Sequence, residues 1–310
     1  MNQLFCVVVT YRRSGSLGGV LDGIAEQSRP PDVLIVVDNS PSSETEAAVA
    51  AYQAKGLDAV YLAAPENLGP AGGTALAMEH ALANGGDDDW LIRVDDDRGP
   101  ISEDLFEEIE RFADETFDQD PSTAGVGLVG ARYSWERGRL DRVPEEELAG
   151  AVPVDYLATN HFPLFRLGAV RAAGPFRSDL FFGSSEVEYG LRLRHHGFHL
   201  YGHGDRWLPM RPTRTDPLRP RVGVTEPNWR RYYSLRNQVF VLRSYGYGRT
   251  AVRIAVVRGV LKPLLNLPFS PRLAWANLKL NTRAIRDGWQ GRLGRTLEPD
   301  DAALDPLTPM

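Results

Sequence analysis

Short apolar runs alternate with amphipathic segments along the first 130 residues of the chain. The apolar runs are continuous, and each one ends in polar or charged residues. Such strands are buried on both faces, which is typical of a parallel sheet covered by helices on both sides. The pattern predicts strands at Leu4–Thr10, Val33–Val37, Ala59–Leu62 and Trp90–Val94, and helices at Leu17–Gln27, Ser43–Ala54, Ala71–Ala83 and Ser102–Phe112. We therefore predict an α/β fold.

Beyond residue 125 the pattern becomes mixed. It predicts two strands, Val126–Ala131 and Leu157–Phe165, and a helix at Glu186–His196. A Pro- and Arg-rich stretch predicts a long loop over 206–227, and a helical, basic pattern follows it. We expect a main domain over 1–227, a basic helical section over 228–297 and a disordered tail over 298–310.

The charge of the chain is distributed unevenly. The net charge is -6, but residues 1–200 carry 16 basic and 33 acidic residues, whereas residues 201–310 carry 19 basic and 8 acidic residues. A basic C-terminal part predicts a polyanionic partner, such as an anionic membrane surface, a diphosphate or a nucleic acid. Its arginines stand among aliphatic residues rather than stacking aromatics, so we expect no nucleic acid partner.

The single cysteine and the absence of long apolar stretches indicate the cellular setting. Cys6 lies within the first apolar run, which predicts a buried thiol and a reducing compartment. The sequence shows no secretory signal pattern and no apolar stretch long enough to span a bilayer. We expect a cytoplasmic protein that can lie peripherally on the inner face of the membrane.

Three consecutive aspartates, Asp95, Asp96 and Asp97, directly follow the fourth predicted strand. Alternate strand residues point to the same side, so Asp95 and Asp97 can share one face. Thr10 and Asp38 end two other predicted strands, and ligands of open parallel sheets bind at such carboxyl ends. Carboxylates here would suit a divalent cation, Mn²⁺ or Mg²⁺, which takes hard oxygen ligands. The alternative is a solvated acidic turn that binds nothing.

Four segments occur in an order and spacing that resemble glycosyltransferase family 2, an inverting family with the GT-A fold. They are Val7-Val8-Val9-Thr10-Tyr11, Val36-Val37-Asp38-Asn39-Ser40, Glu66-Asn67-Leu68-Gly69-Pro70-Ala71-Gly72-Gly73 and Arg93-Val94-Asp95-Asp96-Asp97. The third segment is similar to that of the galactofuranosyltransferase and rhamnosyltransferase branch. The resemblance implies a Rossmann-like mixed sheet with helices on both faces, the fold of nucleotide-diphospho-sugar transferases, plus a C-terminal helical section.

The resemblance also implies roles for the matching positions. The base of the donor nucleotide would meet Thr10, Tyr11 and Asp38, whose carboxylate accepts hydrogen bonds. The full nucleotide-sugar-binding set would be Thr10, Tyr11, Arg12, Asp38, Asn67, Gly69, Gly72, Gly73, Asp95 and Asp96. Asp97 and Asp95 would bind the metal. For the glycines, the alternative is a tight strand-to-helix turn.

The segment from Phe181 to Arg192 resembles the acceptor-side motif of the family, an acidic pair at the start of a helix. It implies that Glu186 is the general base, with Glu188, Arg192 and Trp207 on the acceptor side. The alternative is that Ser185 caps the helix and both glutamates only complement its dipole.

Relatives often place a metal-binding histidine further along the chain, where this sequence has Leu208. Two nearby histidines, His199 and His203, are candidates to replace it. Each of them has the alternative of a purely structural role.

The basic section contains Tyr232-Tyr233-x-x-Arg236-Asn237, which resembles an element that follows the catalytic domain in the same branch. After it, the aliphatic stretch Ala251–Leu267 carries Arg253, Arg258 and Lys262. A basic amphipathic stretch can lie on an anionic membrane. The alternative is a helix packed on the catalytic domain.

The expected reaction is transfer of rhamnose, galactofuranose or another hexose from a UDP- or dTDP-sugar to an acceptor hydroxyl. The acceptor would be a cell-envelope glycan or a polyprenyl-diphosphate lipid, and the alternative is a soluble natural product. Two other classes stay open: a nucleotidyltransferase, for which no Gly-rich phosphate loop stands near residues 10–20, and a non-catalytic sugar- or polyanion-binding protein.

Overall fold

The computed structural model describes residues 2–211 and 228–299. The chain forms two compact units. The first comprises Met1–Tyr133, Leu140–Ser178 and Glu186–Arg211, and the second comprises Ser134–Arg139, Asp179–Ser185 and Pro212–Met310. Most of the predicted 206–227 loop and residues 300–310 of the predicted tail lie outside the described residues.

An eight-stranded mixed sheet is the frame of the first unit. The described residues form eleven strands, of which eight belong to this sheet and three to a smaller one. In chain order, the strands are β1 (Leu4–Thr10), β2 (Val33–Asp38), β3 (Ala59–Ala63), β4 (Trp90–Asp95), β5 (Thr123–Gly127), β6 (Gly130–Ser134), β7 (Arg139–Asp141), β8 (Ala151–Val154), β9 (Tyr156–Leu157), β10 (Leu164–Arg166) and β11 (His199–His203). The order across the large sheet is β3-β2-β1-β4-β10-β5-β11-β8, and β7-β6-β9 form a small second sheet. Only β10 and β8 run against the other strands of the large sheet.

Helices cover both faces of this sheet, as the continuous apolar runs predict. They are α1 (Ser14–Ala25), α2 (Ser43–Ala54), α3 (Gly69–Asn84), α4 (Leu105–Gln119), α5 (Leu167–Ala173), α6 (Ser185–His195) and α7 (Gly204–Trp207), with short 3-10 turns at Glu145–Glu147 and Ser178–Leu180. Apolar side chains of α1, α2 and α4 pack on what we call face A, and those of α3, α5 and α6 pack on face B.

Strand β1 shows why its sequence is apolar throughout. Cys6 and Val8 enter the core on face A, whereas Phe5 and Val7 enter the core on face B. Cys6 is fully buried, and burial raises the pKa of its thiol far above the ordinary value. The prediction of a buried thiol is confirmed.

The second unit is helical. Its helices are α8 (Trp229–Ser244), α9 (Gly248–Ile254), α10 (Lys262–Leu265) and α11 (Pro271–Gln290), and a π-helical segment over Ala255–Leu261 joins α9 to α10. Asn228 caps α8 by accepting a hydrogen bond from the Arg231 amide at 2.9 Å. The prediction of a C-terminal helical section is confirmed. None of the helices formed by residues 2–211 and 228–299 combines the length and the apolar character needed to cross a bilayer.

Two predicted strands are each divided in the structure. The predicted strand Val126–Ala131 covers the end of β5 and the start of β6, and the predicted strand Leu157–Phe165 runs from β9 to β10. In the second case Phe162 has a φ of 53° and Pro163 follows it, so the extended conformation cannot continue.

Candidate functional site

The acidic triplet lies at the carboxyl end of β4, beside the ends of β1 and β2. Val9 pairs with Asp95 across β1 and β4, and Thr10 pairs with Asp38 across β1 and β2. Leu91 of β4 enters the core on face B, so strand alternation directs Asp95 to the same face. The predicted meeting of these polar strand ends at one edge is present in the structure.

Two arginines contact the triplet. Arg93, on β4, has its Nη2 3.2 Å from Asp95 Oδ1. Arg13, which immediately precedes α1, pairs with Asp97 and lies 3.3 Å from Asp96 Oδ1. Burial raises the pKa values of Asp95 and Asp96, while the two arginines oppose that rise. The site thus concentrates carboxylates that are partly exposed and offsets their charge with guanidinium groups.

Glu186 lies close enough to the acidic triplet for its charge to change the pKa of Asp95. After burial, the charges of Asp97 and Glu186 contribute to the raised pKa of Asp95. The Thr159 hydroxyl donates a hydrogen bond to Glu186 Oε1 at 3.2 Å. Burial and the Glu186 charge together raise the pKa of Tyr156 to about 12. The second residue of α6 therefore shares an electrostatic environment with the end of β4.

Glu188 is not on an open acceptor side. Its side chain is completely buried, and its two oxygens accept hydrogen bonds from Arg192 Nε at 3.0 Å and Nη2 at 3.1 Å. Arg192 also donates to the carbonyl oxygens of Ala173, Gly174 and Pro175. The structure does not support the predicted acceptor-side position of Glu188 and Arg192, because the pair fastens α6 to the end of α5.

The predicted nucleotide pocket is assembled around the ends of β1 and β2. Thr10 is buried at the end of β1, while Arg12 lies over the Tyr11 ring at 5.1 Å. Asp38 is buried and accepts hydrogen bonds from the amides of Ser40 at 2.8 Å and Ser42 at 3.1 Å. The Tyr61 hydroxyl also donates to Asp38, at 3.2 Å. The Asp38 carboxylate therefore has a structural role, because it holds the loop over Ser40 and Ser42.

The glycine-rich segment packs closely against the sheet. A Cβ atom on Gly73 would lie 2.4 Å from Val9 Cγ1, and one on Gly72 would lie 2.7 Å from Leu68 Cβ. Asn67 Oδ1 accepts a hydrogen bond from the Gly69 amide at 2.9 Å, so this side chain shapes the start of α3. The alternative interpretation of a tight strand-to-helix turn accounts for Asn67, Gly69, Gly72 and Gly73 by packing and local hydrogen bonding.

Neither candidate histidine faces the triplet. His199 begins β11 beside Thr123 at the beginning of β5, which is the edge of the sheet opposite Asp95, and contacts Asp120 at 2.7 Å. His203 is at the correct edge but on face A, where it stacks on Phe112 with ring centroids 4.2 Å apart. The structure therefore does not support either histidine as a ligand of a metal at Asp95, because β11 directs both rings away from it.

Trp207 is also not on the acceptor side. Its indole is 7% exposed and packs with Val143, Leu148 and Val152. The structure does not support the predicted acceptor-side role of Trp207, because this side chain fills a small apolar cluster. Within residues 2–211 and 228–299, no group of three His, Cys, Asp or Glu side chains is arranged to hold a metal ion. Asp95 and Asp97 would therefore need oxygen ligands from the substrate and water.

Several residues at the site were not predicted. These are Arg13, Arg93, Thr159 and His161. Burial and the nearby Arg98 charge lower the pKa of His161, which keeps its ring neutral at physiological pH. Arg93 and Arg13 stand inside or next to the motifs that carry the resemblance, so position in the sequence was the available signal. Nothing in the sequence near Thr159 or His161 indicated a site.

The chain resembles solved nucleotide-sugar transferases in fold. The mannosyltransferase PcManGT from Pyrobaculum calidifontis, solved with GDP-Man and Mn²⁺, matches with a TM-score of 0.52 and 15% identity over 94% of this chain and 88% of that chain. TarS residues 1–349 from S. aureus, solved in complex with UDP, match with a TM-score of 0.51 and 16% identity over 96% of this chain and 94% of that chain. These likenesses show that the chain has the GT-A fold.

Sequence comparison identifies the family to which the chain belongs. The family profile of glycosyl transferase family 2 matches residues 5–147. Galactofuranosyltransferase GlfT1 from Mycolicibacterium smegmatis is 30% identical over 260 residues, which cover 77% of this chain and 83% of that protein. GlfT1 from Mycobacterium tuberculosis is 30% identical over 262 residues. The chain belongs to glycosyltransferase family 2, in the galactofuranosyltransferase branch, and it is an enzyme rather than a non-catalytic binding protein.

Proposed function

We propose that this glycosyltransferase moves a sugar from a UDP- or dTDP-sugar to an acceptor hydroxyl with inversion. Galactofuranose is the first candidate for that sugar, and rhamnose or another hexose is the alternative. One observation carries the proposal: the carboxyl ends of β1, β2 and β4 bring Thr10, Asp38 and Asp95 to one edge of the sheet, and the charge of Glu186 acts on Asp95 there. Transfer requires a base near the acceptor and a charged site for the leaving diphosphate, and these residues offer both. The GlfT1 relatives support galactofuranose, and the TarS complex supports UDP.

In this mechanism Glu186 is the general base. Its carboxylate accepts the proton of the acceptor hydroxyl while that oxygen bonds to the anomeric carbon from the face opposite the leaving group. The bond from the anomeric carbon to the diphosphate oxygen breaks, and the nucleoside diphosphate leaves with its electron pair. The Thr159 hydroxyl, 3.2 Å from Oε1, holds the carboxylate in one orientation.

The carboxylates at the end of β4 fit a divalent cation. Asp95 and Asp97 are oxygen donors in a site where burial and mutual repulsion raise the pKa of Asp95, and a cation would relieve both effects. Mg²⁺ commonly takes one or two carboxylates and completes its shell with substrate phosphates and water. A cation held there would neutralise charge on the departing diphosphate. The Mn²⁺ in the PcManGT structure supports this assignment.

The acceptor is proposed to be a cell-envelope glycan or polyprenyl-diphosphate lipid at an anionic membrane surface. Residues 228–299 carry 14 basic and 2 acidic residues. Large apolar side chains stand exposed along the helical stretch over 248–265 and just beyond it, most of all Leu265 at 72% and Phe269 at 86%. Exposed apolar side chains among basic residues favour an interfacial membrane contact.

The structure changes which basic residues would serve that contact. Arg253 donates to the Glu136 carbonyl at 2.9 Å, and Arg258 donates to Gln238 Oε1 at 2.7 Å, so both have roles within the second unit. The sharper variant is therefore Leu265→Ser with Phe269→Ser. We expect the wild type to co-sediment with anionic liposomes and the double variant to stay in solution. A wild type that ignores the liposomes and glycosylates a soluble natural product would refute the lipid acceptor.

The two glutamates of α6 provide the test of the base. Glu186→Gln keeps size and hydrogen bonding but cannot take a proton, so turnover should fall by about 10²–10⁴. Thermal stability and UDP affinity should stay close to those of the wild type. Glu188→Gln is the matched control, because it leaves Arg192 in the core without its carboxylate and should lower stability by about 3–5 kcal/mol. Full turnover in Glu186→Gln would refute the assignment.

A further inference from the structure

Two fully buried polar residues of α8, Arg236 and Asn237, bind the backbone of a loop in the second unit. Asn237 Nδ2 donates to three carbonyl oxygens: Leu180 at 2.8 Å, Phe182 at 2.9 Å and Gly183 at 2.8 Å. An amide has two N–H bonds, so at least one of them is shared between two acceptors. Arg236 adds a hydrogen bond from Nη2 to the Leu180 carbonyl at 3.1 Å.

The bound loop has an unusual backbone. Phe181 has a φ of 59°, Gly183 a φ of 74° and Ser184 a φ of 63°. Residues other than glycine rarely adopt this left-handed conformation. Such residues persist only where the surrounding structure over-determines their conformation, and they cluster at functional sites. The carbonyls held by Asn237 belong to this loop, so its side chain fixes the peptide orientations that the strained residues require.

The loop leads directly to the candidate base. Ser185 is the first residue of α6, and Glu186 is the second. We propose that Asn237, supported by Arg236, is a positioning residue for Glu186: it fixes the path of the chain that delivers this carboxylate to the acceptor hydroxyl. The inference rests on the proposed function, because it concerns the base of the proposed transfer.

Arg236 makes this arrangement specific to Asn237. Arg236 Nε donates to Asn237 Oδ1 at 2.8 Å, which directs the amide nitrogen toward the loop carbonyls. Arg236 Nη1 also donates to the Gly294 carbonyl at 2.7 Å, which anchors the guanidinium itself. Replacing the amide by a carboxylate keeps the bond from Arg236 Nε but removes both N–H donors that residue 237 offers to the loop. Asn237→Asp is therefore the decisive variant, and Asn237→Ser is a milder second one.

The second unit supplies a matched control. Asn281 is also fully buried and donates from Nδ2 to a single backbone carbonyl, that of Gly259, at 3.1 Å. Asn281→Asp makes the same chemical change at the same burial, without touching the loop. The measurements are kcat and KM for transfer, UDP affinity and the melting temperature of each variant.

We expect Asn237→Asp and Asn237→Ser to lower kcat about 10–100-fold, since a displacement near 1 Å has such effects. Donor KM and UDP affinity should change little, and Asn281→Asp should leave kcat intact. The defining readout is a double-mutant cycle with Glu186→Gln. If Asn237 acts through Glu186, its substitution should have almost no further effect on kcat once the base is removed.

The outcomes separate the two ideas. If Glu186→Gln alone leaves kcat unchanged, the proposed base is wrong. If Glu186→Gln is severe but Asn237→Asp lowers kcat equally in both backgrounds, Asn237 does not act through Glu186 and the inference is overturned. It is also overturned if both Asn237 variants lose the folded state while Asn281→Asp keeps it, because Asn237 would then serve stability alone.

Discussion

Gly73→Ala tests whether the glycine-rich segment serves packing or donor binding. The added Cβ would meet Val9 Cγ1 at 2.4 Å and Asn39 Nδ2 at 3.1 Å. Carbon atoms in contact are ordinarily about 3.5–4.0 Å apart, so the helix or Val9 must move by about 1 Å. Val9 cannot turn aside cheaply, because a β-branched side chain has few rotamers.

The expected magnitude follows from two opposing terms. Overpacking of this kind costs about 1–3 kcal/mol, and the gain in helix propensity from glycine to alanine returns up to about 1 kcal/mol. We expect a net loss of about 1–2 kcal/mol. Gly19→Ala in α1 is the control, since nothing lies within 4 Å of its added Cβ. That variant should gain about 0.5–1 kcal/mol from propensity alone.

Urea unfolding at pH 7 measures both effects, with the free energy taken by linear extrapolation. Val9→Ala removes the atoms that clash, so it should cost less in the Gly73→Ala background than in the wild type. The folded Gly73→Ala protein should also still bind UDP. If its stability equals that of the wild type, or if it stays fully stable and loses UDP binding, the packing interpretation is refuted.

Two further predictions concern the charges at the site. Burial raises the pKa of folded Asp96, so the wild type loses stability as pH rises through that pKa, and Asp96→Asn should melt higher at pH 7. This advantage should vanish below about pH 4, near the ordinary Asp pKa, and a lower melting temperature at pH 7 would contradict it. The double variant His199→Gln, His203→Gln should keep Mn²⁺-dependent turnover. If the folded double variant no longer responds to Mn²⁺, one of these histidines is a ligand of the metal and the prediction is refuted.

The first half of the fold could be predicted because its signals are local. The predicted helix Ser43–Ala54 has the same bounds in the structure, and Ser42 accepts the capping hydrogen bond from the Thr45 amide. Parallel strands bring their carboxyl ends to one edge, so the meeting of Thr10, Asp38 and Asp95 followed from topology.

The later half depends on interactions between distant segments. His203 is the last residue of β11, and only the pairing of β11 with β5 and β8 decides the face on which its ring lies. Within the first half too, the contact between Arg13 and Asp97 joins residues that are 84 positions apart. Neither periodicity nor composition encodes such a pairing.

The division of roles between the two glutamates follows from helix geometry. Residues two apart on an α-helix differ by about 200° around its axis, so Glu186 and Glu188 cannot both face one acceptor. Residues four apart share a face, which pairs Glu188 with Arg192. Glu188 of that pair is fully buried, and the partly exposed Arg192 guanidinium reaches three carbonyl oxygens at the end of α5. The pair of Glu188 and Arg192 thus fixes the rotation of α6 about its own axis. This rotation leaves Glu186 on the side where Thr159 donates a hydrogen bond to it and where its charge helps to raise the pKa of Asp95.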